Sequence, residues 1–127
     1  MIKRVMVVGA GQMGSGIAQV AAQAGLQVWL RDIEQRFVDR GLGVIEKNLA
    51  RDVAKGRRTE EDKAAILGRI TGTTELAPAA ECDLVIEAIV ENLDAKLALF
   101  RELDGICPEG TLFASNTSSL PITQLAA

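Results

Sequence analysis

Apolar residues in this chain fall into short unbroken runs separated by longer stretches with helical spacing. Val5-Met6-Val7-Val8 is continuous, short and rich in β-branched residues, the pattern of a strand buried on both faces of a parallel sheet. Beyond a glycine-rich turn, Met13, Ile17, Val20, Ala21 and Ala24 recur at helical spacing and predict the apolar side of a helix, with Gly25 placed for a left-handed C-cap. Residues 26–31 predict a second strand. Residues 34–55 predict a long helix whose apolar side carries Phe37, Leu42, Ile45, Leu49 and Val53. Thr59 followed by Glu60-Glu61-Asp62 predicts a fresh helix start, because the threonine oxygen caps free amides and the carboxylates favour the positive end of the helix dipole. That helix runs to Gly68. Residues 70–73 predict a weak third strand, 84–89 a strong fourth, 93–106 an amphipathic helix and 112–114 a fifth strand.

Strands and helices alternate throughout, so the predicted fold is α/β. It is a Rossmann-type, doubly wound, mainly parallel sheet with right-handed crossovers and a two-helix insertion after strand two. Residues 1–127 are expected to form one domain. Ser118, Ser119 and Pro121 read as the opening of another helix, and the six-stranded form of this fold needs a further strand. The domain is therefore expected to be truncated near its C-terminal end.

Composition narrows the function classes. A net charge of -3 and a pI near 5.0 supply no overall positive field, which argues against nucleic acid or a membrane surface as partner. Cys82 and Cys107 lie far apart and the chain has no histidine, so no metal-ligand spacing exists. Two isolated cysteines suit reduced thiols and a cytoplasmic setting. No apolar stretch reaches the length of a membrane span.

The clearest chemical signal is Gly9-Ala10-Gly11-Gln12-Met13-Gly14, set between a strand and a helix. In such a loop the first glycine permits the tight turn, the second lets a pyrophosphate approach the backbone, and the third lets helix pack closely on strand. Amides at the helix start then face the phosphates, with the helix dipole behind them. Asp32 ends the second strand 18 residues beyond Gly14. A carboxylate there accepts from the adenosine ribose hydroxyls and repels a 2′-phosphate, so the cofactor expected is NAD rather than NADP. Arg31 is adjacent, and strand alternation sends it to the opposite face. Two polar segments follow the fourth and fifth strands, near the switch point where a ligand is expected: Glu91-Asn92 with Lys96, and residues 115–119. Capping of the next helix is an equal local explanation for those serines and threonines. Lys47, Arg51 and Lys55 recur every four residues, with Arg57 and Arg58 beyond, a positive stripe suited to a phosphate-rich ligand or simply to solvent.

Taken together, these segments resemble the 3-hydroxyacyl-CoA dehydrogenases, including bacterial 3-hydroxybutyryl-CoA dehydrogenases. The resemblance runs the whole length. It is carried by residues 9–14 followed by Gly16-Ile17-Ala18, by the paired helices ending near Lys55-Gly56, by Glu87-Ala88-Ile89-Val90-Glu91-Asn92, and by Ser115-Asn116-Thr117-Ser118-Ser119-Leu120. It implies an NAD-dependent oxidoreductase of fatty acid metabolism, acting on a small-molecule acyl-CoA. Glu91 and Lys96 then match positions near the nicotinamide ribose, and Asn116 belongs to the segment beside the cofactor. Ser118 matches a catalytic serine between nicotinamide and the substrate 3-hydroxyl. Asn48 and Lys55 match positions that contact CoA, although relatives often carry serine in place of Asn48. The family's catalytic base is a histidine assisted by a glutamate, and this chain contains no histidine. The resemblance places those residues, and a helical C-terminal domain through which the full protein forms a homodimer, beyond residue 127. The chain alone is expected to bind cofactor without turnover. A regulatory NAD(H)-sensing module shares the glycine loop and acidic residue, and a sister dehydrogenase acting on sugar acids shares the nucleotide core. The regulatory module gives no reason for the paired helices or residues 115–120, and the acyl pocket would decide the sugar-acid reading.

Overall fold

The computed structural model describes residues 2–88, 93–108 and 110–115. Its strands are β1 (Arg4–Val8), β2 (Gln27–Arg31), β3 (Ile70–Thr73), β4 (Leu84–Glu87) and β5 (Leu112–Ser115). Its helices are α1 (Gln12–Gln23), α2 (Gln35–Ala54), α3 (Glu60–Gly68) and α4 (Leu93–Ile106). The strands form one sheet in the order β3-β2-β1-β4-β5, and all four pairings are parallel. This is the doubly wound arrangement, with the chain reversing its direction of travel between β1 and β4.

The unbroken apolar run of β1 follows from its central position. Val5 and Val7 face one core, with Ala18, Ala22, Leu30, Ile45 and Leu49. Met6 and Val8 face the other, with Val85, Leu99 and Leu103. Both faces of the strand are dry, so alternation has no polar side to show.

The two-helix insertion is present, and Thr59 closes a capping box with Asp62 at the start of α3. Gly25 takes a φ of +96°, the left-handed conformation required just past α1. Sequence pattern did not find the short 3-10 helix Ala77–Glu81 that leads into β4. Ile89, the predicted end of the fourth strand, lies outside the described residues. Among the described residues no helix is long and apolar enough to cross a membrane.

Two predicted helix faces need correction. In α1 the buried residues are Gly14, Ser15, Ala18 and Ala22, whereas Met13 and Val20 are 57% and 65% exposed. Ile17 and Ala21 of the predicted face do pack against the core, but Met13 and Val20 mark the outer side, because the helix lies close to the sheet and only small side chains fit directly between them. In α2 it is Val38, with Gly41, Ile45 and Leu49, that is buried. Phe37 instead sits at the rim beneath the guanidinium groups of Arg36 and Arg40, 4.9 and 5.9 Å from its ring centre.

Candidate functional site

The loop between β1 and α1 is fastened from several sides. Gly9 turns with a φ of +114°, and its amide donates to the Arg31 carbonyl at 2.7 Å. A Cβ on Gly14 would lie 1.6 Å from the Gly9 carbonyl oxygen, so only glycine permits this approach of helix to turn. A Cβ on Gly11 would meet nothing within 4 Å. The outer side of the loop is therefore open at the position where a pyrophosphate must come close, and the tight side is the one that faces the sheet. Gly11 is the N-cap of α1, no side chain caps the helix, and no acidic residue occupies its first turn. An anion at that helix end meets a favourable dipole and no carboxylate in the first turn.

Asp32 stands beside this loop. Its Oδ2 accepts from the Ala10 amide at 2.8 Å and its Oδ1 from the Ile33 amide at 2.7 Å. Each carboxylate oxygen can accept more than one hydrogen bond, so ribose hydroxyls can be added to these contacts. Arg31 is turned elsewhere, its Nε donating to the Thr74 carbonyl at 3.1 Å. The loop has a second brace: the buried Ser15 hydroxyl donates to the Ala10 carbonyl at 3.0 Å. A Cβ on Gly41 of α2 would lie 2.7 Å from that same oxygen. Sequence reading missed Ser15 and Gly41 as parts of the loop, since each is meaningful only once α2 is seen packed beneath it.

Of the CoA-side candidates, Asn48 donates from Nδ2 to Gln19 Oε1 at 3.3 Å and so links α2 to α1. Lys47, Arg51 and Lys55 are exposed along α2, and the stripe survives without Arg58, whose Nε pairs with Asp52 at 3.4 Å. Glu91, Asn116 and Ser118 lie outside the described residues, as does the Lys96 side chain. Sequence reading also passed over Glu87 as an individual residue. It is wholly buried at the end of β4, and a carboxylate closing an apolar strand was the available signal.

The sequence matches the family described as "3-hydroxyacyl-CoA dehydrogenase, NAD binding domain" over residues 4–127. A probable 3-hydroxybutyryl-CoA dehydrogenase of Bacillus subtilis is 52% identical over 126 residues, covering 99% of this chain and 44% of that protein. One from Deinococcus radiodurans is 58% identical over 121 residues, covering 94% of this chain and 43% of that protein. The solved (S)-3-hydroxybutyryl-CoA dehydrogenase of Ralstonia eutropha superposes with a TM-score of 0.93 at 44% identity, over 98% of this chain and 44% of that one. The chain thus spans less than half the length of these relatives.

Proposed function

The chain belongs to the 3-hydroxyacyl-CoA dehydrogenase family, as its NAD-binding domain, and from that membership we propose that it holds NAD for hydride exchange with C3 of a 3-hydroxyacyl-CoA such as 3-hydroxybutyryl-CoA. The observation that carries the cofactor reading is the glycine loop, closed against the sheet at Gly14 and open at Gly11 beside an uncapped helix start. When bound, NAD supplies the hydride acceptor for oxidation of a secondary alcohol. The chain's own residues bind and orient. Gly9, Ala10, Gly11, Gln12, Met13 and Gly14 wrap the pyrophosphate, and Asp32 takes the adenosine ribose while disfavouring a 2′-phosphate. Glu91, Lys96 and Asn116 serve the nicotinamide end, and Ser118 orients the substrate hydroxyl.

Lys55, with Lys47 and Arg51, offers exposed positive charge to the phosphates of CoA, and Asn48 lies on the same helix with its amide toward α1. The general base and the dimer contact are assigned to the part of the longer enzyme that these residues do not span, in a cytoplasmic setting. The 127 residues, which contain no histidine, then bind NAD(H) without turnover. The test is direct binding by NADH fluorescence. NADH should bind at least about tenfold more tightly than NADPH, a difference of about 1.4 kcal/mol, and Asp32→Ala should remove the preference. Equal affinity for the two nucleotides in the parent chain would sink the assignment of Asp32.

A further inference from the structure

We infer that Ser15 is a positioning residue for the pyrophosphate: through the Ala10 carbonyl its hydroxyl holds the peptide between Ala10 and Gly11 with the Gly11 amide turned outward as a donor. This rests on the cofactor reading given above. Ser15 is 1% exposed, and its Oγ donates to the Ala10 carbonyl at 3.0 Å. Among the described residues every peptide bond is trans, and a trans peptide is planar, with its carbonyl and its amide pointing to opposite sides. With the Ala10 oxygen held inward, the Gly11 amide must face outward. Gly11 is itself exposed, and among the described residues nothing accepts from its amide. The preceding peptide is fixed separately, by the Ala10 amide donating to Asp32 at 2.8 Å. Two consecutive peptides of the turn are thus each held by one side chain, Asp32 just past β2 and Ser15 in α1.

Stability of the helix alone does not explain this hydroxyl. A serine within a helix commonly returns its hydroxyl to the carbonyl four residues back. Here that carbonyl, of Gly11, takes the Ser15 amide at 2.9 Å. The hydroxyl reaches one residue further, to Ala10, which precedes the N-cap Gly11 and lies outside the helix. It therefore acts on the loop. Gly41 of α2 closes the space around the bond, since a Cβ there would stand 2.8 Å from Ser15 Oγ and 2.7 Å from the Ala10 oxygen. Without the hydroxyl the carbonyl of Ala10, a residue only 4% exposed, would lose its partner, and an unpaired buried carbonyl is costly enough to turn the peptide toward another donor.

The probes are ADP-ribose, which carries the pyrophosphate, and adenosine, which does not. Each is titrated against the parent chain, Ser15→Ala and Ser15→Cys, with the Gly11 amide followed by proton–nitrogen correlation NMR. In the parent, ADP-ribose should bind more tightly than adenosine and move the Gly11 amide proton downfield. Ser15→Ala should weaken ADP-ribose about tenfold, leave adenosine within about twofold of the parent, and lose most of the downfield shift at saturation. Ser15→Cys, which keeps a weaker donor, should fall between the two. Parallel loss of both ligands would make Ser15 a residue of the fold alone and overturn the proposal. So would unchanged ADP-ribose affinity or an unchanged Gly11 shift in Ser15→Ala. A parent that binds ADP-ribose without moving the Gly11 amide overturns it too, and leaves the cofactor reading in place. If Ser15→Ala does not fold, Ser15→Cys decides by the same criterion of selective ADP-ribose loss. A parent chain that binds neither ligand overturns the cofactor reading itself, and this proposal with it.

Discussion

A methyl group on Gly41 would stand 2.7 Å from the Ala10 carbonyl oxygen, 2.8 Å from Ser15 Oγ and 3.1 Å from the Ala10 Cβ. None of these is the far end of a flexible side chain, so the strain would pass into the glycine loop. Gly41→Ala should destabilise the chain by about 1–3 kcal/mol, as overpacking does, and should weaken NADH binding as well. Gly43, two residues along the same helix, meets nothing within 4 Å. Gly43→Ala should stabilise by about 0.5–1 kcal/mol through helix propensity alone. Urea unfolding of the two variants checks the contrast, and a similar midpoint shift in both would refute it. At this scale the sequence disclosed the glycine spacing and Asp32, because strand, turn and helix are contiguous. It did not disclose that Asp32 also holds the Ala10 amide, or that Gly41 supports the loop, because those partners meet only through tertiary packing.

Among the elements, the strands were the most legible, since continuous β-branched runs such as Val5-Met6-Val7-Val8 leave little choice of structure. The side that each helix buries was less legible. In α1 the predicted face was right at Ile17 and Ala21 but wrong at Met13 and Val20, because closeness to β1 required glycine, serine and alanine on the innermost side. How β1 is anchored beside β4 was also hidden. Asp83 Oδ2 accepts from the amides of Lys3 and Arg4 at 2.8 and 3.0 Å, and these bonds hold its carboxyl below the ordinary value of 3.8. A depressed folded value means that the contribution is present above the unfolded value and is lost as pH falls through the folded one. Between pH 6 and pH 2 the parent should therefore lose more stability than Asp83→Asn, whose amide oxygen still accepts but does not titrate. Parallel pH profiles from thermal unfolding would show that the carboxylate charge at this anchor contributes nothing.

For the molecule as a whole, right-handed crossovers decide which parts of the sheet are covered. With the order β3-β2-β1-β4-β5, the connections that move toward β3 and those that move toward β5 lie on opposite faces. Among the described residues no helix covers the α1-side face over β4 and β5, and Leu112 there is 56% exposed. On the same side, Met13, Ile17, Val20, Ala21, Leu26 and Ile86 line one open apolar surface along α1. A surface of this kind should bind the dye ANS in the native state. Val20→Lys should reduce that fluorescence without moving the unfolding midpoint, and unchanged fluorescence would count against the exposed surface.

The same strand order has a consequence in time. β1 pairs with β2 and β4, and Leu84, the register partner of Val5, is made roughly 4–16 s after it at ordinary rates of synthesis. Until then one edge of the most apolar strand is unpaired and open to other chains. The bond from the Ala88 amide to the Val8 carbonyl, 2.8 Å long, forms only at the end of that interval. The loop that begins at Gly9 can thus be braced by Arg31, Asp32 and Ser15 well before β4 completes the sheet beneath it.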